Sequence, residues 1–245
     1  MGDHRQHRGP HPEDLRLFGS AHTAALQAAT RDLSWLLSHQ YAMPSAQKLV
    51  GDRYALDSRQ RLGVARCACS DQAVVARRKS QIDASQLAGN AIWIDGYNVL
   101  TTVEAALAGG VILLGRDGCY RDMASMHGNY RKVQETVPAL QRIGECLAAY
   151  RVPHCRWLLD QPVSNSGRLR QILLEIAESH AWNWQVELVP NPDRILQTST
   201  EIVASSDSQI LDAAGRWFNL ARDVIDRACP EVRVTVLDVI DAGTP

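Results

Sequence analysis

The chain has 245 residues, of which 45% are hydrophobic and 22% are charged, so it can bury a sizeable core in one or two domains. Its formal net charge of -1 excludes a uniformly basic protein that coats nucleic acid. No apolar run approaches the roughly 20 residues that a membrane span needs, and the first residues contain no signal-peptide core. We therefore expect a cytoplasmic protein that has no membrane partner.

Charge is divided unevenly along the chain. Residues 1–90 contain 12 Lys and Arg against 8 Asp and Glu, whereas residues 91–245 contain 14 against 19. The basic N-terminal part and the acidic C-terminal part are therefore expected to have different functions. The six cysteines form no C-x-x-C pair, so we expect reduced thiols and no zinc site.

The first third of the chain has the pattern of a helical domain. Residues 1–11 are too polar to offset the entropy of ordering and are expected to form a disordered tail. From Leu15 to Leu37 apolar residues recur every three or four positions, and Asp57-Ser58 offers a cap for a further helix. These signals predict an all-helical domain over residues 12–88.

At Gly89-Asn90 the pattern changes to short apolar runs separated by helical stretches. The strand-like runs are 91–94, 111–114, 155–159, 186–189, 201–204 and 232–237. The helical stretches are 130–150, 166–179 and 208–227. This alternation predicts an α/β domain over residues 89–245, with a mainly parallel sheet flanked by helices.

Three of the predicted strands run into an aspartate. Asp95 closes the first run, Asp160 closes a later one, and Asp207 follows 201–204 after two serines. Ligands of open α/β sheets collect outside the carboxyl ends of the strands, so these acids are expected at one edge. Grouped carboxylates repel one another, and a hard cation such as Mg²⁺ or Mn²⁺ would compensate them. The alternative is that each aspartate only caps a helix or opens a turn, which Asp207-Ser208 could do.

Two motifs add a family resemblance. The run Ile94-Asp95-Gly96-Tyr97-Asn98 resembles the D-G-Y-N signature of NYN domains, which have the PIN-like nuclease fold. The run 203–208 resembles the late strand of that fold, which ends in S/T-S-D. The resemblance implies a Rossmannoid sheet in which Asp95 and Asp207 bind Mg²⁺ or Mn²⁺ and Asn98 lines the site.

The same resemblance implies a further acid near the start of a helix before the late strand, a place that Asp193 occupies. Only seven residues separate Asp193 from Glu201, which leaves room for barely two helical turns. Over most of residues 30–240 the chain also resembles uncharacterised prokaryotic proteins. These pair a small helical domain of unknown function with a PIN/NYN-like domain.

Two groups of basic residues could contact phosphates. Beyond the tight-turn sequence 115–118, the candidates are Arg116, Arg121, Arg131 and Lys132. In the helical domain, residues 45–80 contain eight Lys and Arg against three Asp. A solvated, charge-balanced loop is the alternative for the first group, and solvation or docking on the acidic second domain is the alternative for the second.

Together these features favour a divalent-metal-dependent nuclease, expected to act on RNA. Asp95, Asp160 and Asp207, with Asp193 assisting, would be the catalytic carboxylates that hold one or two Mg²⁺ or Mn²⁺ ions. Asn98 would orient substrate or water. The alternative is a non-catalytic RNA-binding or regulatory module on the same fold. An aspartyl phosphatase fits less well, because Tyr97 stands where that chemistry needs a second aspartate.

Overall fold

The computed structural model describes residues 7–124 and 130–238. Its N-terminal region is helical, as the sequence predicted. The helices are α1 (Asp14–Leu17), α2 (Ser20–Ser38), α3 (Met43–Arg53), α4 (Ser58–Cys67) and α5 (Asp71–Ser80), followed by a 3-10 turn at Ala84–Gln86. The predicted cap at Asp57 is confirmed, since Asp57 and Gln60 form a capping box at the start of α4. Pro44 lies in the first turn of α3, where proline is well tolerated.

The main sheet is fully parallel and confirms the predicted α/β architecture. Its strands are β1 (Ile92–Asp95), β4 (Cys155–Asp160), β5 (Trp184–Val189) and β6 (Ile202–Ala204), in the order β5-β4-β1-β6. The two strands beside the central β1 are therefore β4 and β6. Asp95 pairs in register with Leu158 and Ile94 with Ala204, so the carboxyl ends of all three strands lie at one edge.

A second, three-stranded sheet joins the helical region to the α/β region. It contains β2 (Ile112–Leu114), β3 (Tyr120–Asp122) and β7 (Val234–Val236), in the order β3-β2-β7. Strands β2 and β3 form a hairpin around Gly118, whose φ of 81° needs a glycine. Leu113, Met123 and Leu237 pack into the core of the helical region, so that core includes residues beyond residue 88.

Six helices complete the α/β region. They are α6 (Gly96–Leu107), α7 (Thr136–Ala149), α8 (Ser166–Ser179), α9 (Pro192–Gln197), α10 (Ser208–Ala213) and α11 (Leu220–Ala228). The stretch 208–227 was expected to be one helix, but it is divided by an extended segment. Buried Trp217 fixes that segment: its indole N–H donates to the Arg77 carbonyl, and its own carbonyl accepts from the Ile82 N–H. No helix in the described part of the chain is long and apolar enough to cross a membrane.

The N-terminal segment was expected to be a disordered tail over residues 1–11, of which the structure describes 7–11. Arg8 reaches the buried carboxylate of Glu104 on α6, and His7 Nδ1 lies 2.6 Å from Glu135 Oε1. The Arg8 side chain is only 11% exposed. This part of the segment therefore contacts the α/β region.

Candidate active site

Four aspartates lie at the carboxyl edge of the parallel sheet. Asp95 ends β1, Asp160 ends β4, and Asp207 follows β6 at the start of α10. Asp193 is in the first turn of α9, which packs against β1, β4 and α10. We call this group the edge carboxylates. Helix α9 has six residues, in keeping with the short space that the sequence allowed.

Asp95 is the most enclosed of the four, at 7% exposed. Its Oδ2 accepts a hydrogen bond from Ser205 Oγ at 2.7 Å. Burial, together with the charges of Asp193 and Asp207, raises the pKa of Asp95 to about 7, although the Ser205 hydrogen bond acts to lower it. The negative charge at this position is therefore poorly compensated.

The edge carboxylates interact electrostatically as a chain. Burial and the charge of Asp193 raise the pKa of Asp160, and burial and the charge of Asp207 raise the pKa of Asp193. No edge carboxylate forms an ion pair with any residue in the ranges 7–124 and 130–238, and no cation lowers the pKa of Asp95, Asp160 or Asp193. The edge thus carries negative charge that the protein itself does not neutralise.

The spacing of these acids limits how they could hold a metal ion. Within the described residues, no three His, Cys, Asp or Glu side chains are close enough together to bind one ion. Mg²⁺ usually keeps several waters and takes one or two protein carboxylates together with substrate phosphates. The donor chemistry therefore fits a hard cation held by one or two of these aspartates, and it does not fit a closed protein cage.

The D-G-Y-N segment joins β1 to α6 without an intervening loop. A Cβ on Gly96 would lie 2.9 Å from the Leu158 carbonyl oxygen and 2.5 Å from a Leu159 methyl group, so a larger residue would push the segment away from β4. Asn98 Oδ1 accepts from the Ser206 N–H at 2.8 Å and from Ser206 Oγ at 2.9 Å. This pair of bonds ties α6 to the end of β6.

Asp207 has a structural role, whatever else it does. Its Oδ1 accepts from the Gln209 N–H at 2.8 Å and from the Ile210 N–H at 3.3 Å, which makes it the N-cap of α10. Its own N–H donates to Ser205 Oγ, the hydroxyl that also bonds Asp95. Asp207 therefore caps a helix, as the alternative interpretation of the sequence predicted. Its side chain is half-buried beside the other edge carboxylates.

A cleft of about 450 Å³ opens beside this edge, between the helical region and the α/β region. Of the predicted site residues, Asn98, Asp207 and Arg121 line it, whereas Asp95, Asp160 and Asp193 do not. The other lining residues are Met43, Ala65, Arg66, Tyr97, Thr101, Asp122, Ala124, Ser206, Ser208 and Gln209. The helical region therefore supplies one wall of the cleft.

Sequence reasoning did not single out Arg66 or Asp122. The Arg66 guanidinium contacts the backbone carbonyl of Asp122 and lies 3.9 Å from its carboxylate. Tyr97 also lines the cleft, and its buried hydroxyl has no hydrogen-bond partner in the described structure. No sequence signal links Arg66 to the sheet, because it lies in another region of the chain.

The four predicted phosphate-binding residues have two kinds of environment. Arg116 lies 2.6 Å from Asp71 and 3.0 Å from Asp238, and Arg121 forms a two-bond pair with buried Asp117. These two guanidinium groups are occupied by carboxylates of the chain. Arg131 and Lys132 are exposed, precede α7 and form no ion pair with a described residue.

Most of the basic stretch in the helical region is also neutralised. Five of its eight cations have a carboxylate partner within 3.5 Å: Lys48, Arg53, Arg59, Arg61 and Arg77. Arg66 has its nearest carboxylate oxygen at 3.9 Å. Arg78 and Lys79 are exposed and have none among the described residues. The charge balance read from the sequence therefore overstates the positive surface.

A buried ionic cluster connects the two regions near the site. The Asp117 carboxylate lies 2.6 Å from both Arg77 on α5 and Arg121 on β3. Arg121 Nε also donates to the Ser206 carbonyl at 3.0 Å, next to Asp207. We call Arg77, Asp117 and Arg121 the junction cluster. It fixes the segment that leads from β6 into the site.

Comparison with known proteins finds sequence relatives whose function is not described. The model of a domain of unknown function, DUF5616, matches residues 84–223, and that of a protein of unknown function, DUF434, matches residues 25–80. An uncharacterised protein of Methanocaldococcus jannaschii is 30% identical over 187 residues, which cover 76% of this chain and 89% of the relative. No solved structure matches the chain. The chain therefore belongs to the DUF5616 family and carries a DUF434 region before its α/β region.

Proposed function

We propose that this protein is a divalent-metal-dependent nuclease that hydrolyses phosphodiester bonds of RNA at the carboxyl edge of the parallel sheet. The observation that carries the proposal is the presence of four aspartates at one edge with no cation partner among the described residues. Of the four, Asp95 is buried, and an uncompensated buried carboxylate costs free energy that a bound cation recovers. The D-G-Y-N and S-S-D motifs add their resemblance to the PIN/NYN-like nucleases.

Mg²⁺ or Mn²⁺ would be held by one or two of Asp95, Asp193 and Asp207, with Asp160 at the margin. A metal ion of this kind supplies an activated water and neutralises charge on a phosphodiester. Within the chain, Ser205 holds the Asp95 carboxylate in place through its hydroxyl. The amide oxygen of Asn98 is occupied by Ser206, and its Nδ2 has no acceptor among the described residues, so it can donate to a phosphate in the cleft.

The alternative is an RNA-binding module without catalysis. The lack of three acids close enough to share one ion, within the described residues, favours this alternative. The six described cysteines are all free, and we place either activity in the reducing cytoplasm.

The test is cleavage of a labelled single-stranded RNA by the purified full chain with millimolar Mn²⁺ or with excess EDTA. We expect cleavage only with Mn²⁺, and its loss in Asp95→Asn and Asp193→Asn. The matched control is Asp52→Asn, an exposed aspartate on α3 that should keep full activity. RNA binding without metal-dependent cleavage would favour the alternative, and neither binding nor cleavage would refute both.

A further inference from the structure

A group of exposed aromatic and apolar side chains lies where α2 ends and α3 begins. Trp35 is 58% exposed, Tyr41 is 55% exposed and Met43 is 36% exposed. The Trp35 ring stacks on the ring of exposed His39, with 4.0 Å between centroids. We call these four residues the aromatic surface. Exposed Trp and Tyr rings offer flat faces on which the bases of a nucleic acid can stack.

The aromatic surface reaches the cleft through one of its four residues, Met43. After α2 the chain turns at Gln40, which has a φ of 65°, and the Tyr41 N–H donates to the Leu36 carbonyl at 3.1 Å. This bond holds Tyr41 beside the last turns of α2, which carry Trp35. Met43 begins α3 and also lines the cleft beside Asn98 and Asp207. The aromatic surface and the candidate active site therefore share a border.

Two arginines give this surface the charge that a nucleic-acid backbone needs. Arg31 lies one helical turn before Trp35, is exposed and forms no ion pair with a described residue. Arg66 lines the cleft, is 31% exposed, and has its nearest carboxylate oxygen at 3.9 Å. Aromatic side chains beside cations bind single-stranded nucleic acids, because each unpaired base offers a face for stacking.

We infer that the aromatic surface binds the unpaired bases of a single-stranded RNA whose backbone enters the cleft past Arg66. This inference rests on the proposed function and deepens it by naming the form of the substrate. A duplex offers no base faces to Trp35 and Tyr41, so the single strand is selected. The positive charge beside the aromatic surface favours RNA over an apolar protein partner.

The test measures binding separately from cleavage. A labelled 12-nucleotide single-stranded RNA and its duplex are titrated with the full chain in EDTA, so that no metal-dependent cleavage occurs. We expect the single strand to bind more tightly than the duplex. Trp35→Ala and Tyr41→Ala should each weaken its binding by about 5-fold to 100-fold, the range for loss of one stacked base. The control is Leu15→Ala, which removes a side chain that is 75% exposed on α1 and should leave binding unchanged.

Tryptophan fluorescence gives a second readout. The chain has six tryptophans, and the other five are buried or partly buried. Stacking of a base on Trp35 should quench part of the emission of the wild type, and Trp35→Phe should lose this quenching while still binding RNA.

Unchanged RNA affinity in both alanine variants would overturn the inference, as would equal affinity for the duplex. Loss of a dimer in the same variants, measured by sedimentation without RNA, would also overturn it, because the surface would then bind a second copy. Cleavage by wild type with unchanged binding in the variants would refute this inference alone. Weakened binding in the variants with no cleavage by wild type would refute the proposed nuclease alone.

Discussion

Two carboxylates in this protein are similarly buried but have opposite electrostatic environments. Asp117 in the junction cluster is 5% exposed, and Asp95 among the edge carboxylates is 7% exposed. Burial alone would raise the pKa of both. Arg121 and Arg77 overcome that effect and lower the pKa of Asp117 to about 2. Asp95 has the Ser205 hydroxyl, the Asn98 backbone N–H and two neighbouring acids, and its pKa rises to about 7.

The difference separates an acid whose charge the chain itself compensates from an acid whose charge it leaves uncompensated. At the junction, each carboxylate oxygen of Asp117 meets an arginine, so the cluster is complete within the chain. At the edge, removing a carboxylate would relieve repulsion rather than break a bond to a cation. Burial therefore does not distinguish Asp95 from Asp117, whereas the compensation of their charges does.

The largest effect is expected from Asp117→Ala. The substitution leaves Arg77 and Arg121 buried with their shared counter-charge removed, and breaking a buried pair in this way costs about 3 to 5 kcal/mol. Urea unfolding of the wild type and the variant measures the loss. Asp212→Ala is the control, because Asp212 pairs with the same Arg77 but is 52% exposed. We expect its effect to stay below about 1 kcal/mol. Equal losses in the two variants would contradict the structural role assigned to the junction.

A smaller loss is expected from Arg8→Ala. Arg8 is the cationic partner of fully buried Glu104, which keeps hydrogen bonds from Tyr130 and Thr136, each at 2.6 Å. Because those bonds remain, we expect a loss of about 2 to 4 kcal/mol in urea unfolding, at or below the cost of breaking a buried pair. His7→Ala, beside Glu135, should cost less than about 1 kcal/mol. An unchanged stability of Arg8→Ala would show that the Arg8–Glu104 pair does not stabilise the fold.

The junction should also respond to acid. The pKa of Asp117 is about 2 in the fold against an ordinary value of 3.8, so its stabilisation is present above about pH 4 and lost as the pH falls towards 2. The shift corresponds to about 2 kcal/mol. The stability difference between wild type and Asp117→Asn, measured in urea at several pH values, should therefore narrow by that amount below pH 4. A constant difference would mean that Asp117 is not ionised against its arginines.

The sequence supported the parallel sheet and the placement of the edge acids because both depend on local patterns. The apolar runs predict the strands, and the aspartates that follow these runs in the sequence are therefore predicted at the strand ends. The junction cluster could not be predicted, because Arg77, Asp117 and Arg121 come from different elements. Arg8 was assigned to a disordered tail, because its stabilising partner, Glu104, lies 96 residues away in the chain. Long-range ion pairing leaves no local signal in a single sequence.

The smallest effects should come from the edge itself in the absence of metal. Asp207→Ala removes the N-cap of α10 and should cost about 1 kcal/mol, a typical value for an N-cap. Asp207→Asn can still accept the two backbone bonds and should cost less.

Asp95→Asn keeps an oxygen for Ser205 and removes a negative charge near Asp193 and Asp207, so its stability should equal or exceed that of the wild type. Thermal melts in EDTA at pH 8, where the wild-type Asp95 is largely ionised, measure all three variants. If Asp95→Asn melts well below the wild type, its carboxylate stabilises the fold and the contrast with Asp117 fails. If it melts at or above the wild type in EDTA and also loses the stabilisation that Mn²⁺ gives the wild type, the buried carboxylate binds the cation and does not stabilise the fold.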